Sequence, residues 1–178
     1  MYVKIRKKIV AKDEFDMVLP YPYKVYDNVT QIIPTDIQAM GVKGVLLDID
    51  GTLMRTKDKA PDPRVMEWID SLKQNDIAVY VLSNNKHPDR VRKLAESIGA
   101  DWTYLAHKPK KEGFYNAAKS LGLEHCEIAV IGDQIFTDMF GAARCGMKGL
   151  IVNSLDTYLW YYYPRHVLEI IFWREKRK

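Results

Sequence analysis

Between Lys43 and Val152, five short apolar runs alternate with segments whose apolar residues recur at helical spacing. The runs are KGVLLD (43–48), IAVYVL (77–82), WTYLA (102–106), EIAVIGD (127–133) and GLIV (149–152). Val65, Trp68, Ile69 and Leu72 share one face of a helix predicted within 61–75. A second helix is expected from about Pro88, a residue suited to the first turn. Its stripe is Val91, Leu94, Ala95 and Ile98, and Gly99 ends it. Phe114, Ala117, Ala118 and Leu121 form a third stripe, ended by Gly122. A short helix around Phe136–Arg144 is expected to end at Gly146. Alternation of this kind calls for an α/β fold with a five-stranded parallel sheet covered on both faces. Right-handed crossovers then place every strand's carboxyl end on one edge, where ligands of such sheets bind.

A chain of 178 residues suits one domain with a sizeable core. Residues 43–155 are read as that core. Residues 1–42 are a lead-in that packs along it, with a short helix near Pro34–Thr35 before Gly41. Residues 156–178 are an aromatic and basic C-terminal helix or tail of the same domain. The N-terminus begins basic but lacks the apolar stretch of a signal peptide, and no run is long enough for a spanning helix. Cys126 and Cys145 show neither metal-ligand nor redox spacing, which fits a reducing, cytoplasmic interior. The net charge of +4 is concentrated in part at the two ends. Solvated tails explain it most simply; an anionic lipid surface or RNA is the sharper reading.

The strand ends carry a coherent set of polar groups. The first predicted strand delivers Asp48, Asp50, Gly51 and Thr52, and the second Ser83, Asn84 and Asn85. After the third comes His107-Lys108-Pro109, and after the fourth Gly132, Asp133, Gln134, Thr137 and Asp138. Several carboxylates together suit a hard cation such as Mg²⁺, which prefers oxygen ligands. A hydroxyl, a lysine and loop N–H groups suit the oxygens of a phosphoryl group. Asp48 could then serve as a nucleophile, since carboxylates form acyl phosphates. The bland alternative for each strand-end Asp is a turn or cap residue. For Ser83-Asn84-Asn85 it is a turn that opens the next helix.

In order and placement, DIDGT, SNN, HKP and GDQIFTD resemble the four motifs of the haloacid dehalogenase (HAD) superfamily. The resemblance implies a three-layer Rossmann-like core and a phosphatase. It implies Asp48 as the group that attacks phosphorus and Asp50 as general acid and base. Ser83 and Lys108 would hold the transferring phosphoryl group. Gly51, Thr52 and Asn84 would contact substrate, Gly51 and Thr52 through backbone N–H groups. Mg²⁺ would sit on Asp48, Asp133 and the Asp50 carbonyl, with Asp138 in support.

Capped members insert a substrate-selecting domain after the first motif or between the second and third. The 32 positions 51–82 and the 24 positions 84–107 are consumed by core elements, so no cap is expected. This resembles the capless subclass III, and within it the bacterial YqeG-type proteins, relatives of mitochondrial phosphatidylglycerophosphate phosphatases. An open site excludes water poorly around a small substrate, which favours a large or tethered one. The segment YLWYYYPRHVLEIIFWREKRK (158–178) has the Tyr, Trp and basic residues of a membrane-surface contact. A helix packed on the sheet and a dimer contact fit it as well. The leading expectation is a phosphatase for a lipid-linked phosphomonoester, phosphatidylglycerophosphate first, peripheral at the inner membrane face. A soluble nucleotide or sugar phosphate is the alternative substrate. A binding or assembly module that retains the fold is the third reading, and the intact Asp50 argues against it. Nucleic acid is not an expected partner, and the oligomeric state is left open.

Overall fold

The computed structural model describes residues 21–156. At its centre Gly44–Leu47 forms β2, fully buried along its length. Ala78–Leu82 (β3) pairs with it on one side and Ile128–Gly132 (β5) on the other, both parallel. Asp101–Thr103 (β4) extends the sheet beyond β3, and Lys148–Val152 (β6) extends it beyond β5. Along these strands alternate residues point to opposite faces. Val45, Leu47, Val79, Val81, Ala129 and Ile131 join one core layer, while Leu46, Tyr80, Leu82, Ile128 and Val130 join the other.

Each layer is closed by helices whose stripes the sequence displays. Pro63–Gln74 (α2) contributes Val65, Trp68, Ile69 and Leu72 to the first layer. Pro88–Ser97 (α3) adds Val91, Leu94 and Ala95 to it. Lys111–Leu121 (α4) and Phe140–Arg144 (α5) cover the second layer through Phe114, Ala117, Ala118 and Ala142. The connectivity explains the division. From β2 the chain winds outward through β3 to β4, then returns across the sheet to β5 and winds the other way. Right-handed crossovers in opposite directions put their helices on opposite faces. The reversal beside β2 makes the carboxyl edge there a topological switch point.

Among the described residues the sheet has six strands, where five were expected. The sixth is Lys24–Tyr26 (β1), which pairs parallel with β6. Three residues are too few to show a period, and this strand is held by pairing, with the Tyr23 N–H donating to Gly149 O just before it (2.7 Å). Pro34–Ala39 (α1) follows, with Ile37 fully buried. The Trp68 indole N–H donates to Ile32 O at 2.7 Å and ties this segment to α2. β4 ends at Thr103, earlier than its apolar run suggests. Leu105 turns into the left-handed region (φ 45°), and its N–H donates to Asn85 O.

The connections from β2 to α2 (48–62) and from β3 to α3 (83–87) hold no inserted domain. No helix among the described residues is long and apolar enough to cross a membrane. The aromatic and basic stretch at 158–178 lies outside the described residues.

Candidate active site

Asp48 and Asp50 diverge at the end of β2. The strand stops at Leu47, and the chain tightens through bonds from Gly51 N to Met54 O (2.9 Å) and from Leu53 N to Ile49 O (2.9 Å). Gly51 sits at φ 87°, and any Cβ there would strike the Asp133 carboxylate. Glycine is therefore required both by backbone conformation and by the approach of β5. Asp48 is buried by this turn. Asp50 points elsewhere, into donors from Asn85 and Arg90.

Around Asp48 the connections after β2, β4 and β5 converge. Lys108, 6% exposed, donates through Nζ to Asp48 Oδ1 and to Asp138 Oδ1, both at 2.6 Å. Asp133, at the end of β5, completes a buried trio with Asp48 and Asp138, whose facing oxygens lie within 4.8 Å of one another. The Thr52 hydroxyl lies 3.4 Å from both Asp48 Oδ2 and Asp133 Oδ1. Asp138 reaches the trio from a single π-helical turn, Ile135–Met139, which precedes α5. Such a turn inserts an extra residue and re-aims side chains, a device common at functional sites. The Asp138 carboxylate also accepts from Gln134 N (3.2 Å) and Thr137 Oγ1 (3.2 Å).

The electrostatics are unbalanced in a definite direction. Burial raises Asp48 to about 6 against the pull of Lys108, with Asp138 adding to the rise. Burial, Asp48 and Asp138 together raise Asp133 to about 8, partly relieved by a hydrogen bond with Ser154. Burial alone would lower Lys108, but Asp138 and Asp48 outweigh it and hold the ammonium firmly charged. Three carboxylates thus face one ammonium, and the excess is two negative charges when all are ionised. All-oxygen donors with that deficit fit a hard divalent cation. Asp50 adds only the smallest of these pushes on Asp48, and Arg90 pairs with it at 2.8 Å.

The remaining predicted residues shape the site. Ser83 is 1% exposed, and its Oγ accepts from Asn85 N at 3.1 Å, which leaves the hydroxyl hydrogen to donate. Asn84 spends its amide on the Lys108 backbone, accepting from Lys108 N (2.7 Å) and donating to Lys108 O (3.1 Å). It thereby locks the second motif to the third. The N–H groups of Gly51 and Thr52 donate to Met54 O and Ile49 O, closing the turn. Offering them to a phosphate would require that turn to open.

The structure brings in residues that the sequence reading did not single out. Arg90 joins Asp50. Ser154 stands beside Gly51, and Leu155 N donates to Gly51 O at 2.8 Å. Asp156 accepts from Thr56 N (3.0 Å) and Thr56 Oγ1 (2.5 Å). The segment after β6 is therefore strapped onto the loop that carries Asp50. No period or motif marks Ser154–Asp156, because the contact is made across a hundred residues of sequence.

Residues 57–146 match the model of the haloacid dehalogenase-like hydrolases. The probable phosphatase YqeG of Bacillus subtilis (strain 168) is 33% identical over 146 residues, which span 82% of this chain and 78% of that protein. The fold is shared with solved phosphatase structures. The cobalt-bound deoxy-D-mannose-octulosonate 8-phosphate phosphatase of Haemophilus influenzae aligns with TM-score 0.54 and 22% identity, over 71% of this chain and 75% of its own. The 3-deoxy-D-manno-octulosonate 8-phosphate phosphatase of Moraxella catarrhalis, in complex with magnesium, phosphate and KDO, aligns with TM-score 0.51 and 18% identity, over 77% and 90%.

Proposed function

This chain belongs to the haloacid dehalogenase-like hydrolases and is a phosphatase, and from that premise we propose that it is an Mg²⁺-dependent phosphomonoesterase working through an aspartyl-phosphate at Asp48. The observation that carries the reading is the Lys108 ammonium held at 2.6 Å from both Asp48 and Asp138 inside a buried carboxylate trio at the switch point. A carboxylate fixed by a buried cation, beside a site short of positive charge, suits attack on a phosphoryl group that brings its own negative charge.

In the first step an Asp48 oxygen attacks phosphorus while Asp50 gives a proton to the departing oxygen. In the second, Asp50 takes a proton from the water that cleaves the acyl phosphate, restoring Asp48 and releasing inorganic phosphate. Lys108 and the Ser83 hydroxyl bind the phosphoryl oxygens and stabilise the charge that builds on them. Asp48, Asp133 and the Asp50 carbonyl would hold Mg²⁺, with Asp138 in support. Bound there, the ion would draw charge from the phosphoryl oxygens and offset the repulsion between Asp48 and the incoming phosphate.

The leading substrate is a lipid-presented phosphomonoester, phosphatidylglycerophosphate first, met at a membrane surface. Three observations support it. Among the described residues no cap is inserted over the site. Its rim carries exposed apolar side chains, Tyr104 (40%), Leu105 (36%) and Leu155 (37%), and exposed cations Arg55, Lys57 and Lys59. Asp156 is bonded to Thr56 in the loop that carries Asp50, and the aromatic and basic stretch follows it in sequence. The second reading, a soluble sugar phosphate, draws on the substrates named for the two structural relatives. A phosphate-release panel separates them. Lipid-presented phosphatidylglycerophosphate should be turned over faster than soluble sugar phosphates and nucleotides, and Asp48→Asn should abolish all turnover. Good turnover of a soluble ester with none of the lipid would remove the lipid reading.

A further inference from the structure

Arg90 lies in the first turn of α3, outside the four motifs. Its guanidinium makes a fourfold set of bonds. Nε and Nη2 donate to Asp50 Oδ1 at 3.0 and 2.8 Å. Nη2 also donates to Arg55 O (2.9 Å), and Nη1 donates to Asp58 O (2.5 Å). Asn85 Nδ2 meets the other Asp50 oxygen, Oδ2, at 2.6 Å. The Asn85 side chain is itself fixed, because its Oδ1 accepts from His87 N at 2.8 Å. The arginine and the carboxylate are both mostly buried, at 19% and 22% side-chain exposure.

We infer that Arg90, seconded by Asn85, is the positioning residue for the Asp50 general acid and base, and that it makes Asp50 Oδ2 the oxygen that carries the proton. The planar guanidinium holds Oδ1 with two donors and Asn85 holds Oδ2 with a third, so both oxygens, and with them the plane of the carboxyl group, are fixed. Oδ1 accepts two bonds from Arg90 and has no free lone pair. Oδ2 accepts one, from Asn85, and keeps a site for a proton. When the bond from phosphorus to the leaving oxygen breaks, the proton on Oδ2 passes to that oxygen. The carboxylate left behind later takes one proton from the attacking water. Arg90 neither gains nor loses a proton in either half. Its bonds to the carbonyls of residues 55 and 58 hold the loop after the Asp50 turn against α3, so one guanidinium both orients Asp50 and ties down that loop. The inference rests on the aspartyl-phosphate reading above.

A staple that merely holds a loop and a group that aims a general acid differ in what they do to leaving groups. A poor leaving group needs the proton as it departs, and a good one hardly does. The test measures kcat/KM, which reports events through departure of the leaving group, for phenyl phosphate and 4-nitrophenyl phosphate. It compares the wild type, Arg90→Ala, Arg90→Lys, Asp50→Asn and the double variant Asp50→Asn/Arg90→Ala. The expected result is a loss in Arg90→Ala at least about tenfold larger on phenyl phosphate than on 4-nitrophenyl phosphate. Arg90→Lys should recover part of it, and Arg90→Ala should add little to Asp50→Asn. Equal losses on the two esters, or losses that add in the double variant, overturn the inference and leave Arg90 as a loop staple. If Arg90→Ala does not fold, Arg90→Lys carries the same comparison, since it keeps the charge and loses the fork. Wild-type turnover that survives Asp48→Asn would instead overturn the aspartyl-phosphate reading, and this inference with it.

Discussion

Removal of the Lys108 ammonium would leave Asp48, Asp133 and Asp138 buried together at mutual distances under 4.8 Å. Stripping one partner from a buried ion pair costs about 3–5 kcal/mol, because the remaining charge is neither hydrated nor paired. Lys108→Ala is therefore expected to lower thermal stability sharply in chelator and less so in millimolar Mg²⁺, alongside a loss of at least about 10²-fold in kcat/KM. Equal destabilisation with and without the ion would show that the trio does not hold it. Asp133→Asn works in the opposite sense. It removes the carboxylate that burial and its neighbours disfavour most. In chelator the variant should melt higher than the wild type, by about 2–4 °C for each kcal/mol relieved. The Mg²⁺-induced rise in melting temperature should vanish with the activity. Calorimetry of the wild type and the two variants, each in chelator and in Mg²⁺, reads these effects. At this scale the strand-end motifs made Asp48, Lys108 and Asp133 visible in the sequence, since polar groups that end apolar runs have few structural reasons to be there. Arg90 was not visible. An arginine in the first turn of a helix looks the same whether it faces solvent or a catalytic carboxylate.

Among the elements, α5, a helix of five residues, is closely constrained by its neighbours. Gly141 packs directly on the Phe114 ring of α4, and a Cβ at that position would overlap the ring. Phe114 is fully buried and rigid, so the clash cannot be relieved by a flexible chain end. Gly141→Ala should cost about 1–3 kcal/mol in urea denaturation, despite the better helix propensity of alanine. Because the π-helical turn bearing Asp138 leads directly into α5, activity should fall further than stability alone accounts for. A variant as stable as the wild type would show that α5 can move off α4 without strain. The helical stripes of α2, α3 and α4 were legible because apolar spacing and burial are the same fact seen twice. The π-helical turn was not. Ile135–Met139 follows the periodicity of an ordinary helix start, and its extra residue is selected by where Asp138 must reach. β1 escaped for a different reason: KVY is paired through its backbone, which leaves no signature in side chains.

For the whole molecule, the strap after β6 joins the end of the described residues to the loop that carries Asp50. Leu155 N donates to Gly51 O and Asp156 accepts from Thr56, so residues 157–178 follow in sequence from a segment tied to the Asp50 loop. That stretch is rich in Tyr and Trp and ends in Arg174, Lys176, Arg177 and Lys178. Aromatic residues favour the headgroup level of a bilayer, and basic residues near an anionic surface contribute about 1 kcal/mol each. A chain cut after Asp156 keeps the strap and removes the stretch, and so separates two roles that a cut after Leu155 would confuse. The full chain should sediment with vesicles containing anionic lipid and be released as salt rises, whereas the shortened chain should stay in solution. The shortened chain should keep its kcat/KM on 4-nitrophenyl phosphate and lose at least about tenfold on vesicle-presented phosphatidylglycerophosphate, since tethering acts by raising the local concentration of enzyme at the substrate surface. Asp156→Ala in the full chain should do the converse. It should leave vesicle binding intact and lower turnover on both esters, because the loop bearing Asp50 loses its anchor at Thr56. If the shortened chain binds vesicles as well as the full one, the C-terminal stretch has no part in membrane contact, and the apolar rim of Tyr104, Leu105 and Leu155 becomes the surface to test next.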